Sequence, residues 1–200
     1  MRPPVVLVHG FLATPQLMLG MRWRLERAGH QVFPAELGLL AVQDVRQLAG
    51  ELDATVDKVR YRTGAERVSL VGVSQGGIIA LWWAHHREGW ARTASLVAVG
   101  APFRGSWAAV AGLPWLWACS RGIWQLLPGA ALLDELVQPL PDGARLTTVS
   151  LRGDPVSPPG RCAYPGADNR VLDGAVGPLN HQWLTFDRGV TRAVVDALSP

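Results

Sequence analysis

The sequence of 200 residues has no apolar run of membrane-spanning length, no internal repeat and no low-complexity tract. A transmembrane helix needs about 20 consecutive apolar residues, whereas 48% hydrophobic and 18% charged residues indicate a globular chain with a large core. At this length we expect a single domain over residues 1–200. The first residues also lack the pattern of a secretory signal, which favours a cytoplasmic protein unless a leader has been removed.

Lysine is nearly absent, because Lys58 is the only one in the chain. The net charge of +3 therefore comes from arginines, and these are scattered singly along the sequence. Proteins that bind nucleic acids cluster their basic residues into a stripe with aromatic platforms, and no such stripe is visible. We expect no nucleic-acid partner.

Cysteine is also scarce. Cys119 and Cys162 are the only two, and they form neither a C-x-x-C motif nor a metal-binding spacing. A protein without a secretory signal usually keeps its thiols reduced, which favours two unpaired cysteines over the alternative of one disulfide in an exported protein. No metal site is predicted.

The most informative motif that is present is a Gly-x-Ser-x-Gly at residues 72–76. It follows the apolar run 67–71 and precedes the helix-forming segment 77–84. A serine at a sharp turn from a buried strand into a helix has its hydroxyl exposed at the end of the strand, and the flanking glycines make the turn possible. We therefore predict that Ser74 is a nucleophile.

A second apolar run, at residues 4–8, leads into the loop 9–15. Backbone N–H groups that are fixed in advance can stabilise the negative oxygen that develops during acyl transfer. We expect the N–H of Phe11 to be one such donor and that of Gln75, at the start of the helix after the serine, to be the other. The alternative for this loop on its own is an ordinary turn with a buried His9.

Apolar strands alternate with helical stretches along the chain. Strands are expected at 4–8, at 31–34, in a run ending at Ser74, and at 94–99, 145–151 and 169–172. Helices are expected near 15–28, at 41–62, after the serine to about 88, and at 185–198. This alternation predicts an α/β fold with a mostly parallel sheet of about six strands and helices on both faces. Ligands bind such sheets at the carboxyl ends of the strands, where both motifs fall.

The connection between the fourth and fifth expected strands is long, rich in tryptophan and interrupted by prolines. We expect residues 103–140 to form a short helical lid whose apolar inner face receives an acyl chain. The residues expected to bind substrate are Trp107, Trp115, Trp117 and Trp124. The alternative is that these side chains cover the edge of the sheet as ordinary core.

A nucleophilic serine needs a base, and the base needs an acid that orients it. Four of the five histidines lie in the first loop, in an early turn or too far along the helix after the serine, which leaves His181. Asp154 is the preferred acid because it directly follows the fifth expected strand and gives the order Ser, Asp, His. The alternative acids are Asp134, Asp142, Asp168 and Asp173. The other serines near this edge, expected to be dispensable, are Ser106 and Ser157.

The chain resembles the α/β-hydrolase superfamily, and within it the small bacterial lipases and esterases. Residues 6–15 are similar to the oxyanion loop of these enzymes, 72–77 to their nucleophile elbow, and 100–106 to the segment after their next strand. Residues 127–136 and 164–169 resemble the segments after the lid and before the catalytic histidine. The resemblance spans nearly the whole chain and implies a minimal α/β-hydrolase fold with the same catalytic and oxyanion residues.

We expect a serine hydrolase that cleaves carboxylic esters through an acyl-enzyme, with no metal or organic cofactor. Its partner would be a small acyl ester or a lipid, with transient contact to a lipid surface. Val73 and Phe103 stand where lipases usually carry histidine, and residues 74–77 are more similar to acyl-protein thioesterases and carboxylesterases. The alternative is an acyl thioesterase or acyltransferase with the same triad, and a catalytically silent binding protein is less favoured.

Overall fold

Six strands form one sheet in the computed structural model of the protein, which describes residues 2–116, 120–174 and 180–199. The strands are β1 (Val5–Val8), β2 (Val32–Pro34), β3 (Val68–Val73), β4 (Thr93–Val99), β5 (Leu146–Leu151) and β6 (Asp168–Leu172). Their order is β2-β1-β3-β4-β5-β6, and every neighbouring pair is parallel. The predicted parallel α/β sheet of six strands is therefore confirmed.

The strand order creates a switch point between β1 and β3. The chain leaves β1 towards β2 at one edge and then returns past β1 to build the rest of the sheet from β3 onwards. Val8 at the end of β1 pairs with Gly72 in β3, so the loops after these two strands begin side by side. Crevices at such switch points are the usual ligand sites of open α/β sheets.

Helices connect the strands and cover both faces of the sheet. The helices are α1 (Leu19–Arg27), α2 (Val45–Thr63), α3 (Gln75–His86), α4 (Gly89–Arg92), α5 (Trp107–Leu116), α6 (Arg121–Gln125), α7 (Ala131–Leu136), α8 (Pro159–Cys162), α9 (Asn180–Trp183) and α10 (Arg188–Leu198). Because side chains alternate along a strand, Val6 and Val8 pack with α2 and α3, whereas Val5 and Leu7 pack with α1 and α10. Among the described helices, none is both long and apolar enough to cross a membrane.

Three of the expected helices begin later than the sequence pattern indicates, and the one expected at 185–198 starts at Arg188 because the side chain of Asp187 accepts the Val190 N–H and caps it. The stretch expected at 15–28 begins as a 3-10 turn over Pro15–Met18, and α1 starts only after it. The stretch expected at 41–62 begins at Val45 because the side chain of Asp44 accepts the Arg46 N–H at 2.8 Å and so caps the helix. It ends at Gly64, whose φ of 69° is left-handed.

The long connection at 103–140 contains α5, α6 and α7 and divides into two parts. Its C-terminal part belongs to the core, because Leu132, Leu133 and Leu136 of α7 are buried in the cluster that α2 and α3 form on the sheet. Its N-terminal part, around α5, is more exposed. The extent of the domain and the lid role of this segment stay predictions.

Candidate active site

Ser74 lies between the end of β3 and the start of α3 with a φ of 56° and a ψ of −127°. A positive φ is costly for a residue with a side chain, and such strain is typical of a nucleophile elbow. A Cβ on Gly72 would lie 2.5 Å from the carbonyl oxygen of Gly76, and one on Gly76 would overlap the carbonyl oxygen of Val8. Both positions therefore require glycine, and this close approach brings the loop after β1 against the serine.

Three side chains, from the turns after β3 and β5 and from α9, form a continuous hydrogen-bonded chain. The Ser74 hydroxyl lies 2.7 Å from Nε2 of His181, and Nδ1 of the same imidazole lies 2.8 Å from Oδ2 of Asp154. The side chain of Asp154 is completely buried and that of His181 is 12% exposed. Because a carboxylate can only accept, Nδ1 carries the proton and Nε2 is free to accept the hydroxyl proton of the serine.

The carboxylate of Asp154 is held at both oxygens. Oδ1 accepts the backbone N–H of Val156 at 2.8 Å and that of Ser157 at 3.1 Å, and Oδ2 accepts the Ser157 hydroxyl at 2.8 Å. Burial by itself would raise the pKa of Asp154, but the hydrogen bond and charge of His181 and the donors from Ser157 outweigh it and lower that pKa below its usual value. The group is therefore a carboxylate at neutral pH.

Two backbone N–H groups lie close to the serine: Phe11 lines the same cavity as Ser74, and Gln75 follows Ser74 at the start of α3. In the part of the chain that the structure describes, the N–H of Phe11 and that of Gln75 have no hydrogen-bond acceptor. A Cβ on Gly10 would lie 3.3 Å from the backbone nitrogen of Gln75, so the loop approaches the first turn of α3 directly. His9 is buried, its pKa is lowered by that burial, and its Nδ1 donates to the Gly10 carbonyl at 3.1 Å.

A cavity of about 490 Å³ opens beside Ser74 and His181. Its walls are mostly apolar and come from the loop after β1, from α5 and α6, and from the loops around Asp154 and His181. The described residues from α5 and α6 and their flanks that line it are Ser106, Ala108, Ala109, Ile123 and Leu126. A cavity of this size with few polar groups suits an acyl chain.

The tryptophans expected to bind substrate do not line this cavity where the structure describes them. Trp107 is 63% exposed, and its ring lies under the guanidinium of Arg161 at 5.3 Å. Trp124 is 47% exposed. The side chain of Trp115 and the whole of Trp117 lie outside the described residues.

Cys162 is not one of the residues that line the cavity. Cys162 is a free, buried thiol whose pKa is raised to about 12 by burial, and its Sγ donates to the carbonyl of Ser157 at 3.1 Å. Cys119 lies outside the described residues. Within the described ranges, no group of three or more His, Cys, Asp or Glu side chains is arranged to hold a metal ion.

Ser157, expected from the sequence to be dispensable, contacts both Asp154 and His181. The only signal in the sequence is the spacing Asp-x-x-Ser, which on its own is typical of a simple turn. Ala109 was not singled out as a cavity wall either, because a small residue in a Trp-rich segment carries no distinguishing pattern.

The sheet with its switch point, the elbow and the crevice at the carboxyl edge define the α/β-hydrolase fold. Solved structures agree with this assignment. The chain superposes on the mature lipase BlEst2 of Bacillus licheniformis with a TM-score of 0.79 at 14% identity, over 100% of this chain and 93% of that one. It matches MGS-MChE2, an α/β-hydrolase enzyme from the sediment metagenome of the Mar Chica lagoon in Morocco, with a TM-score of 0.67 at 20% identity, over 98% and 90% of the two chains. The fold class predicted from the sequence is confirmed.

Curated relatives of the chain are lipases. It is 35% identical over 111 residues to a triacylglycerol lipase of Pseudarthrobacter phenanthrenivorans, and the matched residues cover 52% of this chain and 34% of that protein. A triacylglycerol lipase of Burkholderia plantarii is also 35% identical over 111 residues, 52% of this chain and 30% of the relative. The match thus spans about a third of the length of these relatives. No family model matches the chain.

Proposed function

We propose that the protein is a serine hydrolase that cleaves carboxylic esters, with Ser74 as nucleophile, His181 as base and Asp154 as the acid that orients the base. The observation that carries this proposal is the pair of short hydrogen bonds, 2.7 Å from Ser74 to His181 and 2.8 Å from His181 to Asp154. The similarity to proteins named as lipases supports the same class of reaction.

In the proposed reaction Oγ of Ser74 attacks the ester carbonyl while its proton moves to Nε2 of His181. The negative oxygen of the tetrahedral intermediate is stabilised by the N–H groups of Phe11 and Gln75. Asp154 stabilises the imidazolium, which then protonates the leaving alcohol. Water, activated by the same imidazole, hydrolyses the acyl group from the serine and restores the free enzyme.

The proposed substrates are esters with a medium or long acyl chain. The apolar cavity beside Ser74 supports this, because each methylene that it removes from water contributes about 0.8 kcal/mol. Residues 103–140 supply Ala109, Ile123 and Leu126 to the walls. We therefore retain the proposal that this segment is a lid on the acyl chain within a single domain of residues 1–200.

Contact with a lipid surface is part of the same proposal. Leu12 and Leu17 line the cavity and yet are 46% and 51% exposed. Trp183 and Phe186, whose rings are 5.5 Å apart, are also exposed and flank the cavity residue Thr185. Exposed apolar side chains around the mouth of an apolar cavity would favour partial insertion into a lipid layer.

The proposal is tested by hydrolysis of p-nitrophenyl esters with acyl chains from acetate to palmitate. The wild type should cleave them and Ser74→Ala should lose about 10⁴-fold or more in kcat, because residues of a triad act as a unit. Ser95→Ala is the matched control, since Ser95 is a buried serine whose hydroxyl bonds Ser69 inside the sheet. Turnover by Ser74→Ala within tenfold of this control would end the proposal.

Thioester cleavage or acyl transfer by the same triad is the second candidate. The Ser-Gln-Gly-Gly sequence at 74–77, similar to that of acyl-protein thioesterases, favours it. Comparing kcat/KM for an acyl thioester and for the oxyester with the same acyl chain separates the two, and added alcohol reveals transfer by forming a new ester.

A further inference from the structure

The hydroxyl of Ser157 lies behind the imidazole of His181, on the side away from Ser74. Its Oγ is 2.8 Å from Oδ2 of Asp154 and 3.0 Å from Nδ1 of His181, while Nδ1 and Oδ2 are themselves 2.8 Å apart. The three polar atoms thus form a closed triangle. Ser157 is completely buried, so bulk water cannot replace its hydroxyl.

The protons in this triangle can be arranged in one way only when Asp154 is ionised. The carboxylate has no proton to donate, so the Ser157 hydroxyl donates to Oδ2 and so does the Nδ1–H of His181. The hydroxyl oxygen of Ser157 then presents its lone pairs to the same Nδ1–H as a second acceptor. Ser157 therefore contacts the acid and the base at once.

We propose that Ser157 is a positioning residue that fixes Asp154 and His181 relative to each other and keeps Nε2 directed at Ser74. This inference rests on the proposed hydrolase function. An imidazole base is effective only when another group holds its ring in the productive orientation. Asp154 is that group for His181, and the Ser157 hydroxyl in turn holds Asp154.

A purely structural role of Ser157 in the turn after Asp154 does not explain why its side chain carries a hydroxyl. The turn after Asp154 is closed by backbone N–H groups, which donate to Oδ1 whatever side chain stands at 157. The carbonyl of Ser157 is held separately by the thiol of Cys162. Among the residues that the structure describes, the side chain makes its hydrogen bonds only to Oδ2 of Asp154 and Nδ1 of His181, so its removal leaves the turn intact and changes the triad.

The test is Ser157→Ala, measured by kcat, KM and the pH dependence of kcat/KM on p-nitrophenyl butyrate. We expect kcat to fall about 10- to 150-fold, the range for losing one hydrogen bond to an ionised group. KM should stay within about twofold, because Ser157 does not line the cavity where the structure describes it. Because Ser157→Ala removes both a donor to Oδ2 and an acceptor of the Nδ1–H, the acidic limb of the pH profile should differ from that of the wild type.

Three further variants make the result decisive. Ser95→Ala deletes a buried serine hydroxyl far from the site and should leave kcat and the pH profile unchanged. Ser157→Thr keeps the hydroxyl and should recover most of the lost kcat together with the original pH profile. If circular dichroism and thermal unfolding show that Ser157→Ala does not fold, Ser157→Cys replaces it, with a side chain of similar shape and a weaker donor.

The inference is overturned if Ser157→Ala, or Ser157→Cys in its place, matches Ser95→Ala in kcat and in pH profile. It is also overturned if Ser157→Thr behaves like Ser157→Ala, because the hydroxyl is then not what positions Asp154 and His181. Failure of the proposed function looks different, since the wild type itself would then hydrolyse no ester.

Discussion

Gly10 is where the loop that carries Phe11 touches the elbow that carries the nucleophile. A Cβ at this position would lie 2.8 Å from the carbonyl oxygen of Val73 and 2.9 Å from Cβ of Ser74. Ordinary contacts between such atoms are about 3.5–4.0 Å. Neither obstacle can rotate away, because one is backbone and the other is a Cβ. Gly10→Ala should therefore force the loop and the elbow apart by roughly 0.5 to 1 Å, the difference between these distances.

This displacement is large compared with the tolerance of an oxyanion hole. Its donors work at about 2.7–3.1 Å from the developing oxyanion, and removal of one donor costs about 10²- to 10³-fold in kcat. A misplacement of about 1 Å by itself costs about 10²-fold. We therefore expect Gly10→Ala to lower kcat about 100-fold. KM should change little, because the donors bind the transition state more strongly than the ground-state carbonyl.

The assay is kcat and KM on p-nitrophenyl butyrate, with thermal unfolding to verify that the variant is folded. Gly160→Ala is the matched control, because a Cβ on Gly160 in α8 would meet no atom within 4 Å. A folded Gly10→Ala whose kcat lies within about threefold of that control would refute the reasoning, since the loop would then not position a donor for catalysis.

Three other predictions concern the acid and the cavity. Asp154→Asn should lower kcat on the same ester by no more than His181→Ala does, and an almost unaffected Asp154→Asn would show that another carboxylate is the acid. Because the pKa of Asp154 is lowered in the fold, the stability it contributes is present above its unfolded value of about 4 and is lost as pH falls through the lower folded value. The free energies of unfolding of wild type and Asp154→Asn, measured by denaturant titration, should therefore converge as pH falls below about 4, and a constant difference would contradict the assignment. Ala109→Phe should reduce octanoate turnover more than acetate turnover, by about fourfold for each methylene excluded from the cavity. Its control is Ala111→Phe on the exposed side of α5, which should affect both esters equally. Equal losses of the two esters with Ala109→Phe would show that the acyl chain binds elsewhere.

The fold could be predicted from the sequence because its signals are local. β1, β3 and β5 are buried at every residue. β1 appears in the sequence as an uninterrupted apolar run, whereas β3 and β5 are runs rich in branched aliphatic residues and interrupted by serine, threonine or glycine. Parallel strands joined by helices end at the same edge of the sheet. Residues that directly follow β3 and β5 therefore meet there with His181 of α9, although Ser74 and His181 are 107 positions apart in the sequence.

Side-chain pairings within the site are less accessible to such reasoning. The rule that ligands bind at the carboxyl edge of a sheet predicts that Asp154 lies near His181. It does not predict which neighbouring side chain forms the remaining hydrogen bonds to these two residues. Ser157 is three residues after Asp154, a spacing at which a serine usually serves the turn. Its second contact, to His181, depends on the path of residues 24 positions further along the chain.

The walls of the cavity show where sequence reasoning ends. In α5 the apolar residues lie on all sides, so no stripe indicates which side of the helix is buried. Trp107 was expected at the substrate because it is large and apolar, whereas Ala109, two residues later, lines the cavity. Successive residues of an α-helix are about 100° apart, so these two side chains point in roughly opposite directions, and only one of them can face the serine. The rotation of α5 about its axis depends on how it packs against α6, which residue type alone does not encode. Residue type predicts that an acyl chain could be bound here, but the three-dimensional packing decides that small side chains make the room for it.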